Sequence, residues 1–462
     1  MPATSTSRLP LLTIRGIRTS AVEVPMKFPL GTSAGTVRSA PLLLIDLETE
    51  EGITGRTYLF CYRTSVPRAI DVARRFALVG VAGVVRIALS GLDAALWDAL
   101  AVAAGLPLAT FLGANPKPIP AYNSSGLGLM SPEAAADEAE KLLAGGFSAV
   151  KLRLGHPKLE QDLAVTRAVR KRLPDAIELP VDYNQALTVA EALRRGRALE
   201  GEGVAWLEEP IRHDDYAGNA TVARALAVPV QIGENFNGPE AMIEALAARA
   251  CDYVMPDVSR IGGVSGWIQA AGIAAAHVIE MSSHLLPEIS AHLLAASPTC
   301  HYLEYVDWAE SILEEPLQIQ DGLARVPDRP GIGLTWRSEA VKAPVAGPLI
   351  GRLARRAALQ RWGGRERDHN LYSHEARDVR SSRSRKVGHS DTTKRRGLYL
   401  SCEHVRERAD EAGWAPSSAP TMLRADQKRR KGQSTESMFH IGSRARDHEA
   451  RLRKRPDENT PQ

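Results

Sequence analysis

The heptapeptide AVKLRLG, Ala149 to Gly155, decides how the rest of the chain is read. If it is a β-strand, the two-residue period puts Lys151 and Arg153 on one face and the intervening leucine on the other. What precedes it supports a strand. PEAAADEAEKLLAGG has helical composition, with Ser131 placed to cap it and Pro132 at its first turn, so the segment is a helix leading into a strand. The same alternation continues outward. LEQDLAVTRAVRKRL leads to ELPVDYNQ, another helical stretch leads to VAWLEEP, and VPVQIGEN, CDYVMPDVSR, VIEMSSH and HYLEYV follow. Units of about 20 to 30 residues from Ile119 onward imply a parallel sheet. Their number and apolar strands favour a modified TIM (β/α)-barrel, with a doubly wound sheet as the alternative.

Each of these strands ends in a polar residue: Lys151 and Arg153, then Asp182, Glu208, Glu234, Asp257, His284 and Glu304. Successive members lie about one βα repeat apart, which in a barrel gathers them at the C-terminal mouth. Any one of them alone reads as a solvated or edge residue. Asp182, Glu208 and Glu234 in series read otherwise, because three carboxylates at one mouth repel unless a cation sits between them. Oxygen ligands without His or Cys suit Mg²⁺ first and Mn²⁺ second. Asp257, one repeat before His284, would fix the imidazole tautomer and raise its basicity, giving an oriented general base. His292, in the apolar helix that follows, reads as structural.

Around this block, residues 12–118 read as an N-terminal α+β domain. TIRGIRTSAVEV alternates, FPLGTSAGTV is a Gly/Thr-rich loop, and APLLLIDLETEEGITGRTYLF is a hairpin turning near Glu51-Gly52. Val85 to Gly105 is a long apolar helix closed by glycine. Residues 119–345 form the metal-binding barrel domain, with 305–345 returning toward the first domain. Residues 346–462 form a basic, disordered tail: from Gly351 onward there are 27 Lys+Arg against 15 Asp+Glu, while the first 350 residues hold 31 against 39. No aromatic-basic interleaving accompanies that charge, so nucleic acid is not the expected partner. Four scattered cysteines, no membrane-length apolar run and no secretory leader pattern point to a cytoplasmic protein.

Taken in order, AVKLRLG, LPVDYNQALTV, GVAWLEEP, VPVQIGEN, MPDVSRIGGVSGW, MSSHLLPEISAHLLAASPT and HYLEYVDW resemble the enolase superfamily, and within it the mandelate racemase and muconate lactonizing enzyme family, over about Leu12 to Trp336. The resemblance implies an α+β domain capping a modified TIM barrel, and a required Mg²⁺ held by Asp182, Glu208 and Glu234. It implies that Lys151 and the metal neutralise a substrate carboxylate with Asn184 nearby, and that His284, oriented by Asp257, moves the α-proton. Glu304, held protonated, would hydrogen-bond the enediolate. Ser124 matches a substrate-contacting position, and Leu30, Val37 and Leu285 would suit an aromatic ring. A small-molecule carboxylate substrate and a homo-oligomer are expected.

Two departures stand out. Racemising members carry a lysine base where this chain has Arg153, and the stretch from Tyr62 to Arg86 is shorter than the family's helical cap. Neutralising an arginine at pH 7 costs about 7 kcal/mol against a tuned lysine, so weak or one-sided proton transfer is expected there. Racemisation of a mandelate-like 2-hydroxy acid is the first expectation. Dehydration of an acid sugar, which needs one base, is the second. A catalytically impaired paralogue binding through its basic tail is the third.

Overall fold

The computed structural model describes residues 11–32, 35–61 and 82–342. The tail expected to be disordered, and residues 62–81 of the stretch expected to be shortened, lie outside the described residues. No described helix is long and apolar enough to cross a membrane.

The N-terminal capping domain is an antiparallel sheet of β1 (Ile14–Thr32), β2 (Gly35–Thr49) and β3 (Thr54–Phe60), backed by helix α1 (Val84–Ala103). The β2–β3 turn falls at Glu50 to Gly52, as the sequence suggests. The FPLGTSAGTV stretch corrects an expectation: its described residues pair in a long β1–β2 hairpin, with Leu30 opposite Val37 and Gly31 opposite Thr36, rather than forming a loop. Pairing breaks between Pro25 and Leu30. Pro25 and Pro29 have no N–H to give the ladder, so the intervening residues bulge and turn Lys27 and Phe28 toward the barrel. Lys27 Nζ lies 3.2 Å from Asp307 and 2.5 Å from Glu310. Helix α1 packs tightly on β3. A Cβ at Gly55 would lie 2.0 Å from the Ala95 carbonyl oxygen, so only glycine permits that approach.

Eight staves close the barrel among the described residues: β4 (Ile119–Asn123), β5 (Leu152–Arg153), β6 (Val181–Asp182), β7 (Leu207–Glu208), β8 (Val230–Ile232), β9 (Tyr253–Val254), an irregular stave through Met281, and β10 (Leu303–Tyr305). Neighbours pair in parallel, and β10 returns to β4. The ladders are short, and helices cover the outward faces of β5, β6 and β7. Leu152, Val181 and Leu207 point outward and pack with Val165, Val169 and Leu199 of helices Leu159–Arg172 and Val189–Leu199. Each such side chain contributes about 1.5–3 kcal/mol by burial. The intervening polar residues therefore face inward. Helix Pro132–Leu142 begins as read, with Ser131 Oγ accepting from Ala134 N–H.

Among the described residues no helix follows β10 as part of the barrel; the chain instead turns back along the cap. Trp336 Nε1 donates to Asp46, and Ile332 N–H donates to Asp98 of α1. On the other side of Ile332, His292 Nε2 meets its carbonyl at 3.2 Å while Nδ1 accepts from Ala109 N–H at 3.1 Å. One acceptor and one donor nitrogen define a neutral ring, and burial drives its pKa down to about 4. Because the folded value lies below the unfolded one, this neutral ring stabilises the fold fully above about pH 6.5, and the contribution is lost as pH falls toward 4. The loss reaches about 3 kcal/mol. Urea midpoints measured from pH 7 to 4 should fall in wild type and fall less in His292→Gln; parallel curves would show that other groups govern acid unfolding.

Candidate active site

The ladder register explains which inward residues meet. Arg153 pairs with Asp182, Asp182 with Glu208, and Glu208 with Gln231, one row across four strands. Glu234 is not the next member of that row. It lies three residues beyond Gln231, past the end of β8 and after Gly233, and still reaches the others. One oxygen each from Asp182, Glu208 and Glu234 all fall within 4.8 Å of one another, and all three residues are buried. Asn184 lies on Asp182: its backbone N–H and Nδ2 donate to the two carboxylate oxygens at 2.7 and 3.0 Å.

Lys151 ends among these acids. Its Nζ lies 2.6 Å from Glu208, 2.6 Å from Glu304 and 3.3 Å from Asp182, with only 1% of the side chain exposed. One ammonium is not enough for this much negative charge. Burial, with Asp182 and Glu304 adding repulsion, outweighs Lys151 and pushes Glu208 up to about 8. A buried set of three carboxylates that still repel is the donor set a hard divalent cation satisfies, and the residues present fit Mg²⁺.

His284 occupies the opposite side. Its Nδ1 lies 2.8 Å from Asp257 Oδ2, and its Nε2 faces Glu234 at 3.3 Å and Glu304 at 3.9 Å. Asp257 also accepts from the Ser259 N–H and hydroxyl at 2.6 and 2.5 Å. Burial would raise its pKa, but His284 and Arg260 outweigh that, and Asp257 stays ionised. For His284 burial opposes the charged form, while Glu234, Glu304 and Asp257 favour it, for a net rise.

At Glu304 burial favours the neutral form, while Lys151 and then His284 draw the carboxyl down to about 2. Its Oε2 accepts Leu285 N–H at 2.9 Å. Drawing Lys151 toward a substrate carboxylate would remove the main influence that lowers the Glu304 pKa.

Arg153 parts company with Lys151. Its Nη1 donates to the Gly126 carbonyl at 2.6 Å and Nη2 to Ser124 Oγ at 3.0 Å, and it makes no ion pair with any carboxylate among the described residues. Ser124, expected against substrate, is thus engaged by Arg153. Leu30 and Leu285 are buried at 9% and 5% exposure, whereas Val37, at 37%, faces largely outward.

Sequence reasoning passed over several contributors. Gln231 Nε2 donates to Glu208 Oε2 at 3.3 Å; a glutamine inside the apolar run VPVQI was its signal. Arg260 reaches the Glu234 carbonyl at 2.8 Å, and Asn235 Nδ2 donates to both Glu234 and Glu209. Glu209 is buried beside Glu208, and no period marks it, because its φ of 38° turns the chain out of the strand.

Two family models match the chain: the enolase C-terminal domain-like model over residues 134–341, and the mandelate racemase / muconate lactonizing enzyme N-terminal domain over residues 14–75. The chain belongs to the mandelate racemase / muconate lactonizing enzyme family of the enolase superfamily. Among solved members of this superfamily, an enolase from alpha proteobacterium bal199 with bound Mg is 42% identical, with a TM-score of 0.69 over 71% of this chain and 98% of that one. An enolase from Bradyrhizobium complexed with magnesium and mandelic acid is 38% identical, with a TM-score of 0.68 over 72% and 98%. L-talarate/galactarate dehydratase of Salmonella typhimurium is 35% identical over 57% of this chain and 67% of its own length. The superfamily site is therefore one for Mg²⁺-dependent proton abstraction, and Mg²⁺ is the cofactor its acidic triad fits.

Proposed function

We propose that this enzyme takes the α-proton of a 2-hydroxy carboxylate with His284 alone and completes the reaction by losing a β-hydroxyl, as an acid-sugar dehydratase. The observation that carries this reading is the fate of Arg153. Racemisation needs a proton acceptor and donor on each face of the α-carbon, and the group at the second position is a guanidinium hydrogen-bonded to loop oxygens. An arginine keeps its proton at neutral pH. Dehydration needs only the face that His284 occupies.

Asp182, Glu208 and Glu234 would hold Mg²⁺, which when bound supplies Lewis-acid stabilisation of the substrate carboxylate as it gains charge. Lys151 adds a buried positive charge at the same end. His284 Nε2 takes the α-proton, and Asp257 on Nδ1 holds the ring in the tautomer that leaves Nε2 free to accept. Glu304, which takes up a proton from solvent once Lys151 turns to the substrate carboxylate, donates a hydrogen bond to the enediolate oxygen. The protonated His284 then delivers its proton to the departing β-hydroxyl, water leaves, and the resulting enol becomes a 2-keto acid. The similarity to an L-talarate/galactarate dehydratase supports dehydration as the overall reaction.

Racemisation of a mandelate-like acid is the second reading. It is favoured by the buried apolar Leu30 and Leu285 and by the similarity to an enolase complexed with mandelic acid. Product analysis separates the two. Incubating the Mg²⁺-loaded protein with hexonates, hexarates and mandelate should yield a 2-keto acid from at least one sugar acid. Loss of mandelate optical activity without any ketone would overturn the dehydratase reading.

A further inference from the structure

The bulged tip of the cap hairpin rests on the loop that follows β4. Leu129 N–H donates to the Gly31 carbonyl at 3.0 Å, and the backbones come so close that a Cβ at Gly128 would lie 2.3 Å from Gly31 N. Phe28, from the bulge, packs against the apolar cluster that contains Leu127. We infer that Arg153 is a positioning residue, whose guanidinium staples this loop in the shape that seats the cap hairpin over the site.

Every hydrogen bond of Arg153 that reaches a side chain or carbonyl from its guanidinium ends on the loop: Gly126 O at 2.6 Å, Ser124 Oγ at 3.0 Å and Ser124 O at 3.5 Å. Its own backbone N–H adds Leu127 O at 2.9 Å. The loop needs such restraint, because Leu127 sits at φ 52°, a left-handed conformation that an L-residue holds only when its surroundings over-determine it. A planar fork can span two carbonyls at once, whereas a lysine ammonium offers a single point charge. The residue is 4% exposed and meets no carboxylate among the described residues, so oxygen dipoles of this loop are what compensate its charge. Removing the guanidinium frees the loop at Ser124 and Gly126, and the hairpin two residues further on loses its seat.

Hydrogen exchange on the full-length protein tests this without reference to any substrate, so it remains decisive even if no sugar acid is dehydrated. In Arg153→Met, exchange across residues 26–32 and 124–130 should quicken about tenfold, with Arg153→Lys intermediate. Gly128→Ala, which leaves Arg153 in place, should quicken 26–32 while leaving 124–126 slow. With a substrate in hand, KM should rise about tenfold in Arg153→Met while kcat falls less. Unchanged exchange over 26–32 in Arg153→Met would overturn the inference. So would a fall in kcat at constant KM, which would put the guanidinium on the reacting atoms themselves.

Discussion

His284→Asn should slow α-proton exchange about a thousandfold while leaving the fold and Mg²⁺ binding in place. Asparagine keeps a hydrogen-bonding group near the position of Nδ1, so Asp257 is not left as an unpaired buried carboxylate, a loss that would otherwise cost stability. What disappears is Nε2, the nitrogen that faces Glu234 and Glu304 across 3.3 and 3.9 Å. No neutral amine on the other side can substitute, because Arg153 is committed to loop carbonyls. Exchange of the substrate α-hydrogen in D₂O, followed by NMR, reads this step separately from water loss. A reduction of less than tenfold would mean that the working base is elsewhere, with Arg153 the first candidate.

Glu208→Gln should weaken Mg²⁺ binding by about 100-fold or more and remove turnover with it. Glu208 is fully buried between Asp182 and Gln231 in the ladder and shares Lys151 with Glu304. An amide of the same size keeps the packing but withdraws one formal charge from the set that attracts the cation. It also presents an N–H₂ donor among groups arranged around an acceptor. Titration with Mn²⁺ followed by electron paramagnetic resonance measures the affinity directly, and circular dichroism checks the fold. An unchanged affinity would remove Glu208 from the metal site and leave it as a partner of Lys151 alone.

The strand ends were legible because a barrel translates sequence spacing into position. A repeat of about 20 to 30 residues returns the chain to the mouth, so spacing alone places Asp182, Glu208, Asp257, His284 and Glu304 there. Leu152, Val181 and Leu207 carried the complementary signal, since alternation sends the apolar neighbours to the helices. Gln231, Asn235 and Arg260 were not legible in this way. They act on side chains from other strands, and nothing in their local sequence says which carboxylate they will meet.

The amino-acid sequence by itself determined the βα repeat, the acidic triad and the His284–Asp257 pair, because these follow from periodicity and from the limited set of residues that can bind a hard cation or move a proton. Tertiary structure decided what each charge does. Lys151 and Arg153 are equivalent by strand period, but one ends on Glu208 and Glu304 and the other on Ser124 and Gly126. Lys151 favours the ionised form of Glu304 because it lies 2.6 Å away, a distance set by β10 returning to β4. Charge state and hydrogen-bond partner depend on distances between residues far apart in the chain, and only the closed barrel fixes those distances.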